Sequence, residues 1–265
     1  MKYHWIHRAH QPRLTLFFAG WGMDATPFEH LQPVDSDLLL CADYRSLEFD
    51  PSVWQGYEEM RVVAWSMGVW AASVVLPRWA AAAPSEVRTL PRWVDSVAIN
   101  GTPMPVDDRY GIPEAIFRGT LEGLDVRHLE KFYRRMCVTR ESLSFFLAHR
   151  PQRTIDELRD ELQAIGEAAW RSPQVQEMVA APCSPQVRET EAAFDWRRSL
   201  VGSRDLIFPS DSQQAAWEQL RQGRSCPVVE VMDEPHYTAR ITDELTRPWP
   251  VSAAFSMEPF TPVVR

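Results

Sequence analysis

The chain is predicted to fold as an α/β protein: a mostly parallel central sheet flanked by helices, with an inserted helical lid. Three observations predict it. Short apolar, β-favouring runs recur at residues 14–18, 37–41, 62–65, 96–100, 199–203 and 227–231, separated by helical or loop segments, the pattern of strands joined by crossover helices. The run Val62-Val63-Ala64-Trp65-Ser66-Met67-Gly68-Val69-Trp70 passes from an apolar strand into a helix-like pattern at a serine. Residues 107–185 then exchange strand patterning for long helical periodicities.

Residues 4–10 make a candidate edge strand ahead of the buried strand at 14–18. That strand ends in Ala19-Gly20-Trp21-Gly22-Met23-Asp24. The two glycines permit a tight turn that leaves the Trp21 amide free to point into a cleft, although an ordinary strand-to-helix turn has the same composition. After the strand at 37–41, Asp43-Tyr44-Arg45-Ser46-Leu47-Glu48-Phe49-Asp50-Pro51 reads as a polar connection to the strand ending at Trp65. Helix-forming residues continue from Met67 to about Leu76, where Pro77 is expected to stop the helix because it lacks an N–H and clashes with the preceding turn. Residues 80–83 end that helix or begin a loop.

The helical insertion opens at Gly111-Ile112-Pro113. Within it Leu129, Phe132, Tyr133 and Met136 recur at i, i+3, i+4 and i+7, with Arg127, Lys131, Arg134 and Arg135 on the opposite side of the same helix. The sheet resumes at 199–203. Asp211-Ser212-Gln213-Gln214 reads as a capping box with Asp211 as N-cap, which leaves Asp205, just past a strand end, as the acid without a structural role. The last strand, 227–231, leads into Asp233-Glu234-Pro235-His236-Tyr237, and residues 238–245 make a closing helix. The expected division is a core at 1–105 and 186–246, a helical lid at 106–185, and a tail at 247–265 that carries no readable pattern.

Length and composition bound the function. The 265 residues, 45% hydrophobic and 24% charged, suit one large α/β domain with a smaller insertion. A formal net charge of -8 argues against a nucleic-acid partner for the chain as a whole. Cys41, Cys137, Cys183 and Cys226 lie far apart with no C-x-x-C pair, so neither a zinc site nor a disulfide framework is expected, and the natural compartment is a reducing cytoplasm. No segment reaches the roughly 18 apolar residues of a membrane span, so a soluble protein with no membrane partner is expected. Against this acidic background residues 127–153 carry seven basic side chains, the four above with Arg140, Arg150 and Arg153, against only Glu130 and Glu141. A charge run is commonly a solvated helix face; a local surplus of this kind also suits an acidic partner.

The turn after Trp65 has the layout of a nucleophile elbow, in which a strand–turn–helix lifts a hydroxyl clear of the sheet. Ala64 stands where G-x-S-x-G has its first glycine, and a serine at a helix start is also a common N-cap. The rest of the chain adds weight to the first reading. A hydroxyl is a poor nucleophile at neutral pH and needs a base to take its proton and an acid to orient that base. Asp205 and His236 each follow a strand, and the order Ser66, Asp205, His236 is that of α/β-hydrolases. Of seven histidines, His236 alone follows the last strand. The amides of Trp21 and Met67 are the candidate oxyanion donors, a contribution of about 3 kcal/mol for a good donor. The chemistry implied is acyl transfer to Ser66 and then to water, with no metal or organic cofactor.

Several stretches together resemble the BioG family of pimeloyl-acyl-carrier-protein methyl ester esterases of biotin synthesis. They are Phe17-Phe18-Ala19-Gly20-Trp21-Gly22-Met23, Asp43-Tyr44-Arg45, the elbow from Ala64 to Trp70, Gly111-Ile112-Pro113 with Ile116-Phe117-Arg118-Gly119-Thr120-Leu121, and Lys131-Phe132-Tyr133-Arg134-Arg135-Met136. The similarity runs from about Leu14 to Tyr237, and the Gly-Trp-Gly turn and Trp-Ser pair also look like those of the BioH esterases. The resemblance implies removal of a methyl group from the far end of a pimeloyl chain tethered to an acyl carrier protein, with Ser66, Asp205 and His236 as nucleophile, acid and base. Under it, Arg127, Lys131, Arg134 and Arg135 would dock the acidic carrier, and Leu129, Phe132 and Met136 would line the acyl channel. A broad short-chain carboxylesterase, an acyl thioesterase and a non-catalytic binding protein of the same fold remain alternatives.

Overall fold

Side chains of a strand alternate between the two faces of a sheet, so a strand apolar at every position needs cover on both. The computed structural model, which describes residues 1–82, 91–171, 194–221 and 227–249, provides that cover. Seven strands form one sheet: β1 (Lys2–His7), β2 (Arg13–Phe18), β3 (Asp37–Ala42), β4 (Glu59–Trp65), β5 (Arg92–Ile99), β6 (Arg198–Gly202) and β7 (Val228–Met232), in the spatial order β1-β3-β2-β4-β5-β6-β7. β1 runs antiparallel to β3, and all other neighbours are parallel. Leu16, Phe18, Val62 and Ala64 project into one buried cluster, whereas Phe17, Val63 and Trp65 project into the other.

Helix α1 (Met67–Ala82) covers the first face with Val69, Trp70 and Leu76, joined by Ala216 and Trp217 of α6 (Ser210–Arg221). The second face receives Ile241 and Leu245 from α7 (Arg240–Thr246). Fully burying one such side chain stabilises the fold by roughly 1.5–3 kcal/mol.

Four helices stand between β5 and β6 among the described residues: α2 (Glu114–Glu122), α3 (Val126–Cys137), α4 (Arg140–Ala148) and α5 (Ile155–Arg171). Side-chain caps set two of their starts, with Asp125 accepting from the His128 amide at 2.7 Å and Thr139 from the Ser142 amide at 3.2 Å. α2 packs on α5 and α3 on α4. Phe117, Leu158 and Leu162 extend the first buried cluster, and Tyr133, Met136 and Phe146 the second.

Several sequence expectations need correction. Pro77 does not stop α1, which continues to Ala82 with the proline inside it. An interior proline costs about 3 kcal/mol, and burial of Val69 to Leu76 along the core offsets that cost. Asp211 is not an N-cap: α6 begins one residue earlier, at Ser210, so Asp211 falls in its first turn, where a negative charge suits the helix dipole. The Gln214 side chain does reach back, but to the Ser210 hydroxyl, at 3.2 Å. β4 and β5 begin earlier than their apolar runs because Glu59 pairs with Arg92 in register and through their side chains. β1 occupies residues 2–7, and His10 already turns away with φ 56. The tail has structure at its start: Arg247 bonds Asp95, and Trp249 is buried over Arg61. Ala83, residues 172–185 of the expected lid, Cys183, Cys226 and the tail from Pro250 lie outside the described residues.

Candidate active site

β3 lies on one side of β2, and β4 and β5 on the other, so the connections that leave the carboxyl ends of the adjacent strands β2 and β4 run in opposite directions and open a crevice there. The turn Gly20-Trp21-Gly22 follows β2 and Ser66 follows β4, which brings both to this crevice.

Ser66 adopts φ 57, a left-handed conformation that is strained for a side-chain-bearing residue. Its own amide donates to Ile99 O at 2.9 Å, and its carbonyl accepts from the Val69 amide at 3.0 Å as α1 begins. Gly68 lets this turn sit against β2, since a Cβ there would run into the Phe18 carbonyl. Ala64, which stands in place of the motif's first glycine, is fully buried between Phe18 and Ala98 in the sheet.

His236, in the loop after β7, has Nε2 3.0 Å from Ser66 Oγ and Nδ1 2.7 Å from Asp205 Oδ2. A carboxylate only accepts, so the ring proton belongs on Nδ1 and Nε2 is left to accept from the serine hydroxyl. Asp205, in the turn after β6, also accepts from the Ile207 and Phe208 amides, both at 2.8 Å, and from Gln213 Nε2 at 3.1 Å. The carboxylate is thus fixed in orientation before it meets the imidazole. Ser66, Asp205 and His236 are all buried, with 5%, 7% and 1% of their surface exposed.

Trp21 and Met67 line the cleft beside Ser66 and His236. The Met67 amide is the first of α1 and has no intrahelical partner; among the described residues neither it nor the Trp21 amide donates to a protein acceptor. The cleft, about 580 Å³ and open to solvent, is roofed by Ile116, Phe117 and Thr120 of α2, by Phe132, Arg135 and Met136 of α3, and by Leu162 of α5. Leu129 does not line it; this half-buried side chain packs against both apolar clusters. Arg127, Lys131, Arg134 and Arg135 are exposed on α3, and none forms an ion pair among the described residues. Arg153, counted with that basic surplus, is instead buried: it is paired with Glu161 and Asp43.

A hydroxyl, an imidazole and a carboxylate in hydrogen-bonded series at the floor of an apolar cleft can perform nucleophilic acyl transfer. Comparison with known proteins gives this chemistry a family. The model described as pimeloyl-ACP methyl esterase BioG matches residues 1–245. The chain belongs to the BioG family. A crystal structure of BioG from Haemophilus influenzae is 32% identical, covers 93% of this chain and 100% of that one, and superposes with a TM-score of 0.70. A protein named malonyl-[acyl-carrier protein] O-methyltransferase from Bacteroides fragilis is 41% identical over 249 residues, but the match spans 94% of this chain and only 44% of that relative. A lipase-esterase related protein from Clostridium acetobutylicum, 13% identical over 92% of this chain and 97% of that one with a TM-score of 0.55, shares the α/β-hydrolase fold. The BioG match begins at the first residue, ahead of the Leu14 at which the motif resemblance starts, and so takes in β1.

Around this site the structure adds hydrogen-bond partners that sequence patterning does not reveal. The indole of Trp65 donates to the His236 carbonyl at 2.9 Å, and Asn100 Nδ2 donates to the Pro235 and His236 carbonyls, each at 2.9 Å. Asn100 Oδ1 accepts from the Gly202 amide at 2.6 Å, which ties β5, β6 and the histidine loop together. The Trp-Ser pair was visible in the sequence as a motif, but its partner carbonyl is 171 residues away. Gln213 was legible only as part of a helix start.

Proposed function

We propose that the chain is a serine carboxylesterase that hydrolyses the methyl ester of a pimeloyl chain carried on acyl carrier protein, releasing methanol and pimeloyl-carrier protein. The observation that carries this reading is the Ser66–His236–Asp205 series at 3.0 and 2.7 Å beneath an apolar cleft. Membership of a family described as pimeloyl-ACP methyl esterase supports this choice of substrate.

Ser66 Oγ attacks the ester carbonyl as His236 Nε2 takes its proton, and the carbonyl oxygen becomes an oxyanion that accepts from the Trp21 and Met67 amides. The imidazolium, oriented by Asp205, then protonates the departing methoxide, so methanol leaves and an acyl-serine remains. Water attacks that ester with His236 again as base; collapse returns the proton to Ser66 and frees the carboxylate. No metal or organic cofactor takes part in these steps.

The apolar roof suits a methylene chain, and the cations of α3, which have no ion-pair partner among the described residues, suit an acidic carrier approaching that mouth, with Arg135 at the cleft. The Bacteroides relative's name also concerns a carrier-bound acyl group, although its methyltransferase activity is not assigned to this chain. Docking would further select the bond, presenting the distal ester to Ser66 while the thioester stays near the carrier. Among the described residues no helix is long and apolar enough to cross a membrane, and the free, buried thiols of Cys41 and Cys137 fit a reducing cytoplasm. The test is incubation with pimeloyl-carrier-protein methyl ester. Wild type should release methanol and the free carboxylate with the thioester intact; the Ser66→Ala variant should release neither. Thioester cleavage at a comparable rate would overturn the assignment.

A further inference from the structure

The oxyanion turn is held from the insertion side by two bonds that the mechanism above does not use. Glu161, on α5, is fully buried. Its Oε2 accepts from the Gly22 amide at 3.1 Å and from Arg153 Nη1 at 2.5 Å, while Oε1 accepts from the Tyr44 amide at 2.9 Å. One helical turn earlier, the Leu158 carbonyl accepts from the Trp21 indole N–H at 2.9 Å. Gly22 adopts φ +77, and a Cβ there would lie 3.0 Å from the Leu158 side chain, so the turn and the helix are in close contact. The Tyr44 hydroxyl donates to the Ala19 carbonyl at 2.6 Å, which fixes the start of the same turn.

We propose that α5 is a positioning clamp on this turn: Glu161 through the Gly22 amide, and Leu158 through the Trp21 indole, hold the Trp21 amide where the oxyanion forms. The inference rests on the esterase reading above and assigns to Glu161 a part in its chemistry, although this side chain does not line the cleft. The physical reason is that both bonds lie outside the reacting space. Glu161 occupies the Gly22 amide and Leu158 occupies the indole, leaving the intervening Trp21 main-chain amide without a protein acceptor among the described residues. A carboxylate can take the Gly22, Tyr44 and Arg153 donors together because it is acceptor-only, whereas an amide must turn an N–H₂ group toward one of them.

Glu161→Gln and Trp21→Phe test the clamp from its two ends; the second keeps the ring and is the safer variant for folding. Each is assayed on p-nitrophenyl butyrate, and each is titrated with an alkyl trifluoromethyl ketone, which adds to the serine as a tetrahedral oxyanion. For Glu161→Gln the expected result is a kcat about 10- to 100-fold lower with KM within about threefold, and a matching loss of inhibitor affinity, the behaviour of a displaced transition-state donor. For Trp21→Phe the loss is smaller, and the double variant loses less than the product of the two, since both bonds hold one turn. An active wild type whose folded variants keep kcat and inhibitor affinity within twofold overturns the clamp and leaves the esterase reading intact. The same holds for a kcat loss without a loss of inhibitor affinity. A wild type with no Ser66-dependent esterase activity overturns both.

Discussion

The indole N–H of Trp65 donates to the main-chain carbonyl of His236 at 2.9 Å, and the two rings lie 5.4 Å apart. The residue before the proposed nucleophile therefore fastens the loop that carries the proposed base, so the Ser66–His236 distance is set from both ends. Trp65→Phe keeps most of the buried ring and deletes the bond. Asn100 still donates to the same carbonyl, so the loop should stay in place but loosen. We expect kcat on a p-nitrophenyl ester to fall about tenfold with KM little changed, together with about 1 kcal/mol of stability lost. Thermal melting and steady-state kinetics on one preparation check both figures; an unchanged kcat would refute the anchoring role.

Asp205 keeps the imidazole in one tautomer and one orientation. Asp205→Asn preserves its shape, and the Ile207 and Phe208 amides can still bond its oxygen. The amide N–H₂ can then face Nδ1, which puts the ring proton on Nε2, where it cannot receive one from Ser66. The expected loss in kcat is on the order of 10⁴, the scale of a wrong-tautomer imidazole. Burst-phase kinetics should show acylation to be the slowed step.

Charge reversal at Arg127 and Arg134 tests the carrier surface. Both side chains are exposed and outside the cleft lining. With carrier-bound substrate kcat/KM should fall at least about tenfold more than with a p-nitrophenyl ester, and its salt dependence should flatten, since steering is screened beyond about 8–10 Å. Equal losses on the two substrates would show that these cations do not recognise the carrier.

Asp43 links the strand β3 connection to the insertion. Burial opposes its ionisation, but hydrogen bonds from Arg45 and Lys2, with Arg153 close by, outweigh it and hold the carboxyl well below the usual carboxylate range. A carboxyl depressed in the folded state stabilises it above the unfolded pKa, about 3.9, and that contribution disappears as pH falls toward the folded value. Melting temperature should therefore drop steeply for wild type between about pH 4 and pH 2. Asp43→Asn should lower stability at pH 7 and shrink that drop; an identical pH profile in the variant would show that another carboxylate dominates acid unfolding.

By itself the sequence determined the parts of this protein that depend on local pattern. Both-face apolar runs identified most strands of a parallel sheet, because burial on two sides leaves no polar alternation to interpret. The i, i+3, i+4, i+7 stripe of α3 predicted which side faces inward, and Tyr133 and Met136 are indeed buried while Arg127, Lys131, Arg134 and Arg135 are exposed. Ser66, Asp205 and His236 were legible as candidates because each follows a strand. Local rules failed where tertiary burial outweighed them: α1 runs through Pro77, and α6 starts at Ser210 rather than after Asp211. Only the tertiary structure decided what depends on distant partners. Arg153 looked like one more surface cation, yet it is buried against Glu161 and Asp43; Glu161 looked like one acid among Asp156, Glu157 and Asp160 on an amphipathic helix, yet it reaches the Gly22 amide 139 residues away. Such contacts have no periodicity and no fixed spacing. They exist because the sheet order places the ends of β2, β3 and β4 under one helical roof, and a buried charge there persists only with its partners in place.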